Sequence, residues 1–172
     1  LMYTGLFESN TELKAVPMMV ESYEAESDLC WVMTLKEGMK FHDGTPVTSE
    51  DVKASLEFTA TFPTNVSFTQ TVSKIEVVDE RTFKLYTEVP SAKLIDDLAH
   101  RANSILPKAL IDAGHDFNNE PVGSGPYKFV EWTLGDTVTF EAFDDYYDVE
   151  NRAQIKNLIW KTVPEGSSRT IA

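Results

Sequence analysis

The chain has 172 residues, which fits one domain of roughly 100–200 residues. Its 42% apolar, 11% aromatic and 25% charged content is that of a globular chain and excludes the disordered, collagen-like and low-complexity classes. Fifteen basic residues against twenty-eight acidic ones leave a net charge of −13, which argues against nucleic acid or an anionic lipid surface as partner; no apolar run is long enough for direct membrane insertion.

In chain order, the first clear element is a strand over residues 29–35. Trp31, Met33 and Leu35 alternate there with Cys30 and Val32, a pattern that predicts burial on both faces. Cys30 is the chain's one cysteine, so no intrachain disulfide forms and a small buried thiol is expected. Thr48-Ser49-Glu50-Asp51 is a helix start, with Thr48 as N-cap and acids in the first turn; Val52, Leu56 and Thr59 then share a face. Residues 74–77 and 83–86 alternate at period two, predicting a hairpin with Ile75, Val77, Phe83 and Leu85 on its core face. Asp79-Glu80-Arg81-Thr82 supplies its turn.

Ser91 is expected to cap a helix over residues 92–100 that buries Leu94, Ile95 and Leu98 and leaves Asp96 and Asp97 in water. Pro107 suits the first turn of a short helix ending near Gly114. A second hairpin is predicted over 127–132 and 137–142, turning at Leu134-Gly135-Asp136. A last strand covers 155–163, with Ile159 and Val163 on one side and Leu158 and Trp160 on the other. Ser167 or Ser168 would cap a helix that breaks off, so the chain reads as a piece of something longer. Hairpins with a few short helices interspersed predict an α+β fold with an antiparallel or mixed sheet.

The motifs for chemistry are weak. His42, His100 and His115 are scattered without metal-ligand spacing, so no metal site is expected. Asp144-Asp145-Tyr146-Tyr147-Asp148 lacks the ligand pattern of a calcium loop and reads as a solvated turn. Gly123-Ser124-Gly125-Pro126 is neither a nucleophile elbow nor a phosphate loop, because Tyr127 opens a strand where those motifs need a helix. No catalytic residue, no cofactor and no enzymatic activity are expected; a metal-dependent hydrolase is the weakest alternative.

Two segments are more specific. Phe41-His42-Asp43-Gly44-Thr45-Pro46 combines an aromatic anchor, an Asp-Gly tight turn and the approach to a capped helix. Gly123-Ser124-Gly125-Pro126-Tyr127 places two glycines, which permit positive φ or close backbone approach, just before a strand. With Tyr3-Thr4-Gly5-Leu6-Phe7, Ile105-Leu106-Pro107-Lys108 and Asp145-Tyr146-Tyr147, these segments resemble family 5 of the bacterial extracellular solute-binding proteins, the oligopeptide-, dipeptide- and nickel-binding proteins of ABC importers.

The resemblance implies part of a periplasmic-binding-protein type II-like architecture in which two lobes flank a cleft. Residues 1–121 would be the domain inserted near the start of lobe one, and 122–172 the start of the segment re-entering that lobe, with the remainder of lobe one and all of lobe two absent. It further implies capture of short peptides for an ABC permease, or alternatively of a nickel chelate or other small solute. The home would be extracytoplasmic, in the periplasm or as a cell-surface lipoprotein. Phe41, His42, Asp43, Gly44, Thr45, Pro46, Gly123, Gly125, Pro126 and Tyr127 are then fold-signature residues. Phe68, Arg101, Asn103 and Ser104 are the candidates for lining the cleft.

Overall fold

A computed structural model describes residues 1–163; the expected cap at Ser167 or Ser168 lies outside the described residues. Its strands are β1 (Phe7–Ser9), β2 (Ala15–Pro17), β3 (Val20–Ser27), β4 (Cys30–Leu35), β5 (Lys74–Val77), β6 (Thr82–Tyr86), β7 (Tyr127–Thr133), β8 (Thr137–Ala142) and β9 (Asn157–Lys161). The helices are α1 (Ser49–Ala60), α2 (Val66–Thr69), α3 (Leu94–Leu98) and α4 (Lys108–Asp112). β1 and β2 form a small hairpin, β3-β4-β6-β5 a four-stranded sheet and β7-β8-β9 a three-stranded one, with every pairing antiparallel. The architecture is α+β, as expected.

The alternation of the first hairpin builds the centre. Ile75 pairs with Leu85 and Val77 with Phe83, and β4 adds Trp31 opposite Leu85 and Met33 opposite Phe83. Met33, Leu35, Phe83 and Leu85 are fully buried against Val52 and Leu56 of α1 and Leu94 and Leu98 of α3. The turn is held by the Asp79 carboxylate, whose Oδ1 accepts the N–H groups of Arg81 and Thr82, both at 2.8 Å. Cys30 is buried, as expected.

β4 is not buried on both faces. Its second face lies in the row Glu24, Val32, Lys84, Glu76, and Val32 there is only half-buried. An antiparallel sheet needs cover on one side only, and here the helices take one side while charged residues solvate the other. The helix expected over 92–100 is shorter, Leu94–Leu98. It starts at Leu94, because the Ser91 hydroxyl accepts the Lys93 N–H in a preliminary turn. Asp97 does not face water: it is buried, accepts the Thr71 hydroxyl at 2.6 Å and pairs with Lys93 at 2.7 Å.

The second hairpin forms as expected, with Gly135 at φ +77° in its turn, and β9 joins as the third strand. The buried apolar cluster draws its members from Leu6 to Ile105 and takes none from this sheet. Phe140 and Phe143 are buried separately, Phe143 against the His42 ring and Phe140 against Trp160. Phe129, Phe140 and Leu158 lie in register on one face, continued by Trp132, Val138 and Trp160. Trp132 is 52% exposed and Trp160 56% exposed, so half of this apolar face is open.

Candidate functional site

The first signature segment is a self-contained corner. Asp43 Oδ1 accepts both the backbone N–H and the hydroxyl of Thr45, at 2.9 and 2.6 Å, in a side-chain-mimicked turn. Gly44 takes φ +88° and gives its N–H to Phe41 O, while Phe41 N–H reaches Thr45 O. Phe41 is fully buried as the anchor, and Lys40 bridges Pro46 across the corner. Thr48 then caps α1 in a capping box with Asp51.

The second signature segment docks on the first. His42 N–H donates to Gly123 O at 2.8 Å, and the His42 ring lies between Gly123 N, 3.2 Å from Nδ1, and Gly125 O, 3.0 Å from Nε2. Pro126 O accepts the N–H of Phe143, and Tyr127 starts β7 opposite Ala142. The two glycines serve close approach and not positive φ. A Cβ on Gly123 would stand 2.2 Å from Met2 O, and one on Gly125 2.3 Å from Leu1 O. Residues 1–2 run against this turn, with Gly125 N–H bonded to Met2 O at 2.8 Å.

The Asp145-Tyr146-Tyr147 segment is a further anchor. Asp145 pairs with Lys40 at 2.8 Å, Tyr146 is buried, and the Tyr147 hydroxyl donates to Met18 O at 3.0 Å. Burial pushes the Tyr147 phenol far above its ordinary range, so it stays a donor. The acidic stretch is thus a turn with one ion pair and two seated rings.

The cleft candidates gather at one place. Arg101 begins the 3-10 turn Arg101–Asn103 and is exposed. Asn103 is buried and donates Nδ2–H to Asp97 O at 2.8 Å, and Ser104 gives its hydroxyl to Arg101 O at 2.8 Å. The turn is held by Thr59 of α1, whose hydroxyl donates to Ala102 O at 3.0 Å, and by the pairing of Ser104 with Gly5. Phe68 lies on α2, which packs on this turn; its side chain lies outside the described residues. A partly open cavity of about 260 Å³ sits beside it, lined by Leu56, Ala60, Thr69, Ile75, Leu98 and Asn103.

Thr59 and Asp97 are positioning residues that the sequence reading missed. In the sequence Thr59 falls on a core face of α1 and Asp97 on a solvated one. Their partners, Ala102, Thr71 and Asn103, lie on other elements, so only a hydroxyl or a carboxylate on an apolar helix face signals them. No group of three or more His, Cys, Asp or Glu able to hold a metal occurs among the described residues. No helix among them is long and apolar enough to cross a membrane.

Comparisons with known proteins agree with this fold. The family described as bacterial extracellular solute-binding proteins, family 5 Middle, matches residues 14–172. The chain is 32% identical over 173 residues to the glutathione-binding protein GsiB of Pectobacterium atrosepticum, covering 97% of this chain and 33% of the relative. Among solved structures it is similar to the PBP AgaA of A. tumefaciens R10 in complex with agropinic acid, with 38% identity, a TM-score of 0.87, and cover of 99% of this chain and 35% of the other. It is also similar to NikZ of Campylobacter jejuni in complex with Ni(L-His), with 26% identity, a TM-score of 0.85 and the same cover. The chain therefore spans about a third of the length of these relatives.

Proposed function

The chain belongs to the family 5 bacterial extracellular solute-binding proteins, and we propose that it is the part of such a protein carrying one wall of the cargo cleft for an ABC importer. Residues 1–121 are the domain inserted in lobe one, and 122–172 re-enter that lobe. The observation that carries this reading is the open apolar face of β7-β8-β9, where Trp132 and Trp160 stand half exposed beyond buried Phe140. A face of that kind needs further chain to cover it, and the relatives are about three times as long.

Capture then proceeds by closure of two lobes around the cargo, with no bond made or broken, and a permease in the membrane receives the closed form. The protein works outside the cytoplasm, in the periplasm or held at the cell surface as a lipoprotein. Short peptides are the cargo favoured here, since GsiB is named for glutathione, itself a tripeptide. A nickel chelate is the second reading, favoured by the likeness to the Ni(L-His) complex. Arg101, with its exposed guanidinium, supplies charge to a cargo carboxylate, and Ser104, Asn103 and Phe68 shape the wall around it.

Native mass spectrometry of the full-length protein, purified without added ligand, tests the cargo. A bound mass matching a short peptide supports the reading, and a nickel–ligand mass replaces it with the second. Calorimetry on Arg101→Ala in the same protein tests the wall: a tenfold or greater loss of affinity is expected, about 1.4 kcal/mol, and unchanged affinity removes Arg101 from the cleft.

A further inference from the structure

We propose that His42 is a pH-sensitive latch between the two signature segments, closed while its imidazole is neutral and opened by protonation. Both partners of the ring are backbone groups with fixed roles. Gly123 N–H only donates, so Nδ1, 3.2 Å away, carries the lone pair. Gly125 C=O only accepts, so Nε2, 3.0 Å away, carries the proton. The neutral Nε2–H tautomer is the single form that satisfies both. A proton on Nδ1 sets two N–H groups against each other, and the Gly123 bond is lost.

The surroundings favour the closed form. The ring is half-buried, with the Phe143 ring edge-to-face at 5.1 Å. Burial is the largest influence on it and disfavours the imidazolium. Lys128 of β7 acts in the same direction, while Asp43 and the Gly125 carbonyl oppose it; the result is a pKa below the ordinary 6.5. The latch matters beyond one bond because Gly123 leads into the turn that opens β7. Opening frees that entry from the Phe41–Pro46 corner, while Nε2–H stays on Gly125 O and residues 1–2 stay seated on Gly125.

Above 6.5 the ring is neutral folded and unfolded, and the latch contributes in full. Between 6.5 and the lower folded value the unfolded chain binds more protons, so stability falls as pH falls. Below the folded value the native ring protonates as well and the latch opens.

The test is a titration of the intact protein with labelled histidine, followed by NMR from about pH 8 to about pH 4.5, alongside hydrogen exchange at the Gly123 amide. Expected are a proton-free Nδ1 at neutral pH, a titration below the ordinary histidine value, and a loss of Gly123 protection by about tenfold or more through it, after correction for intrinsic exchange. In His42→Asn the side-chain oxygen takes the place of Nδ1 and does not titrate, so the Gly123 step disappears. A protonated Nδ1 at neutral pH, Gly123 protection unchanged through the titration, or a step that persists in His42→Asn each overturns the latch. If His42→Asn does not fold, the two measurements on the unaltered protein decide.

Discussion

The Asp51 carboxylate accepts the backbone N–H of Lys108 at 2.7 Å, joining the first turn of α1 to the first residue of α4, 57 positions later in the chain. Its other oxygen accepts the N–H and the hydroxyl of Thr48 at 2.8 and 2.7 Å, so one buried side chain satisfies donors at two helix N-termini. Asp51→Ala strips all three bonds. A loss of about 3 kcal/mol is expected, given roughly 1.5–3 kcal/mol for hydrogen bonds to a charged group and the unpaired donors left behind. Asp51→Asn keeps an acceptor and should lose about half as much. Chemical denaturation of the two variants checks the order.

The glycines divide into two kinds that one experiment separates. Gly123 and Gly125 have backbone oxygens where a Cβ would go, so Gly123→Ala and Gly125→Ala each cost about 1–3 kcal/mol by overpacking and unseat residues 1–2. Gly44 has open space but φ +88°, so Gly44→Ala costs only the left-handed strain, about 1 kcal/mol, and Gly44→Asn recovers part of it. Thermal melts of the four variants test this. Equal losses for Gly44→Asn and Gly44→Ala would contradict the strain argument.

The legible parts of the fold were those whose signals are local. The hairpin at 74–86 announces itself through alternation and an Asp turn, and α1 through Thr48 and the spacing of Val52, Leu56 and Thr59. β3 gave no such signal: Glu21, Glu24 and Glu26 break the period-two pattern, because this strand sits at a sheet edge with nearly all its residues exposed. Charged edges protect against sheet-to-sheet association and hide strands from pattern reading. The second signature segment was recognisable as a motif, yet its role was not, since His42 meets Gly123 across 81 positions of sequence. Asp97 was misplaced for the same reason, its partner Thr71 being 26 positions away. Of the cleft candidates, Arg101, Asn103 and Ser104 are neighbours on one turn, a placement that follows from their adjacency in sequence, whereas the contact of Asn103 with Asp97 is not visible there.

Trp160 tests whether further chain covers the β7-β8-β9 face. It is 56% exposed, and its ring meets Phe140 edge-to-face at 5.2 Å, so Trp160→Ser in the 172-residue chain should cost only about 1 kcal/mol. In a longer protein whose further chain covers that face, as proposed above, the same substitution should cost about 3 kcal/mol or more. Equal effects in the two settings would show that the face stays open and remove the support for placing 122–172 in lobe one.

The Tyr147 hydroxyl offers a smaller test. Tyr147→Phe removes its bond to Met18 O and leaves the ring packed beside Tyr146, so a loss of about 1 kcal/mol is expected, with the unfolding slope unchanged. A loss several times larger would mean that the hydroxyl supports more than Met18.

The central claim is that this chain supplies one wall of a cleft whose other wall lies elsewhere in the protein. It is tested most directly by calorimetric titration of the 172-residue chain, once a cooperative thermal melt has established that it folds alone, and of its full-length parent with glutathione and with mixed di- to pentapeptides. Saturable heat from the parent and none from the chain is the expected result. Micromolar binding by the chain alone would contradict it.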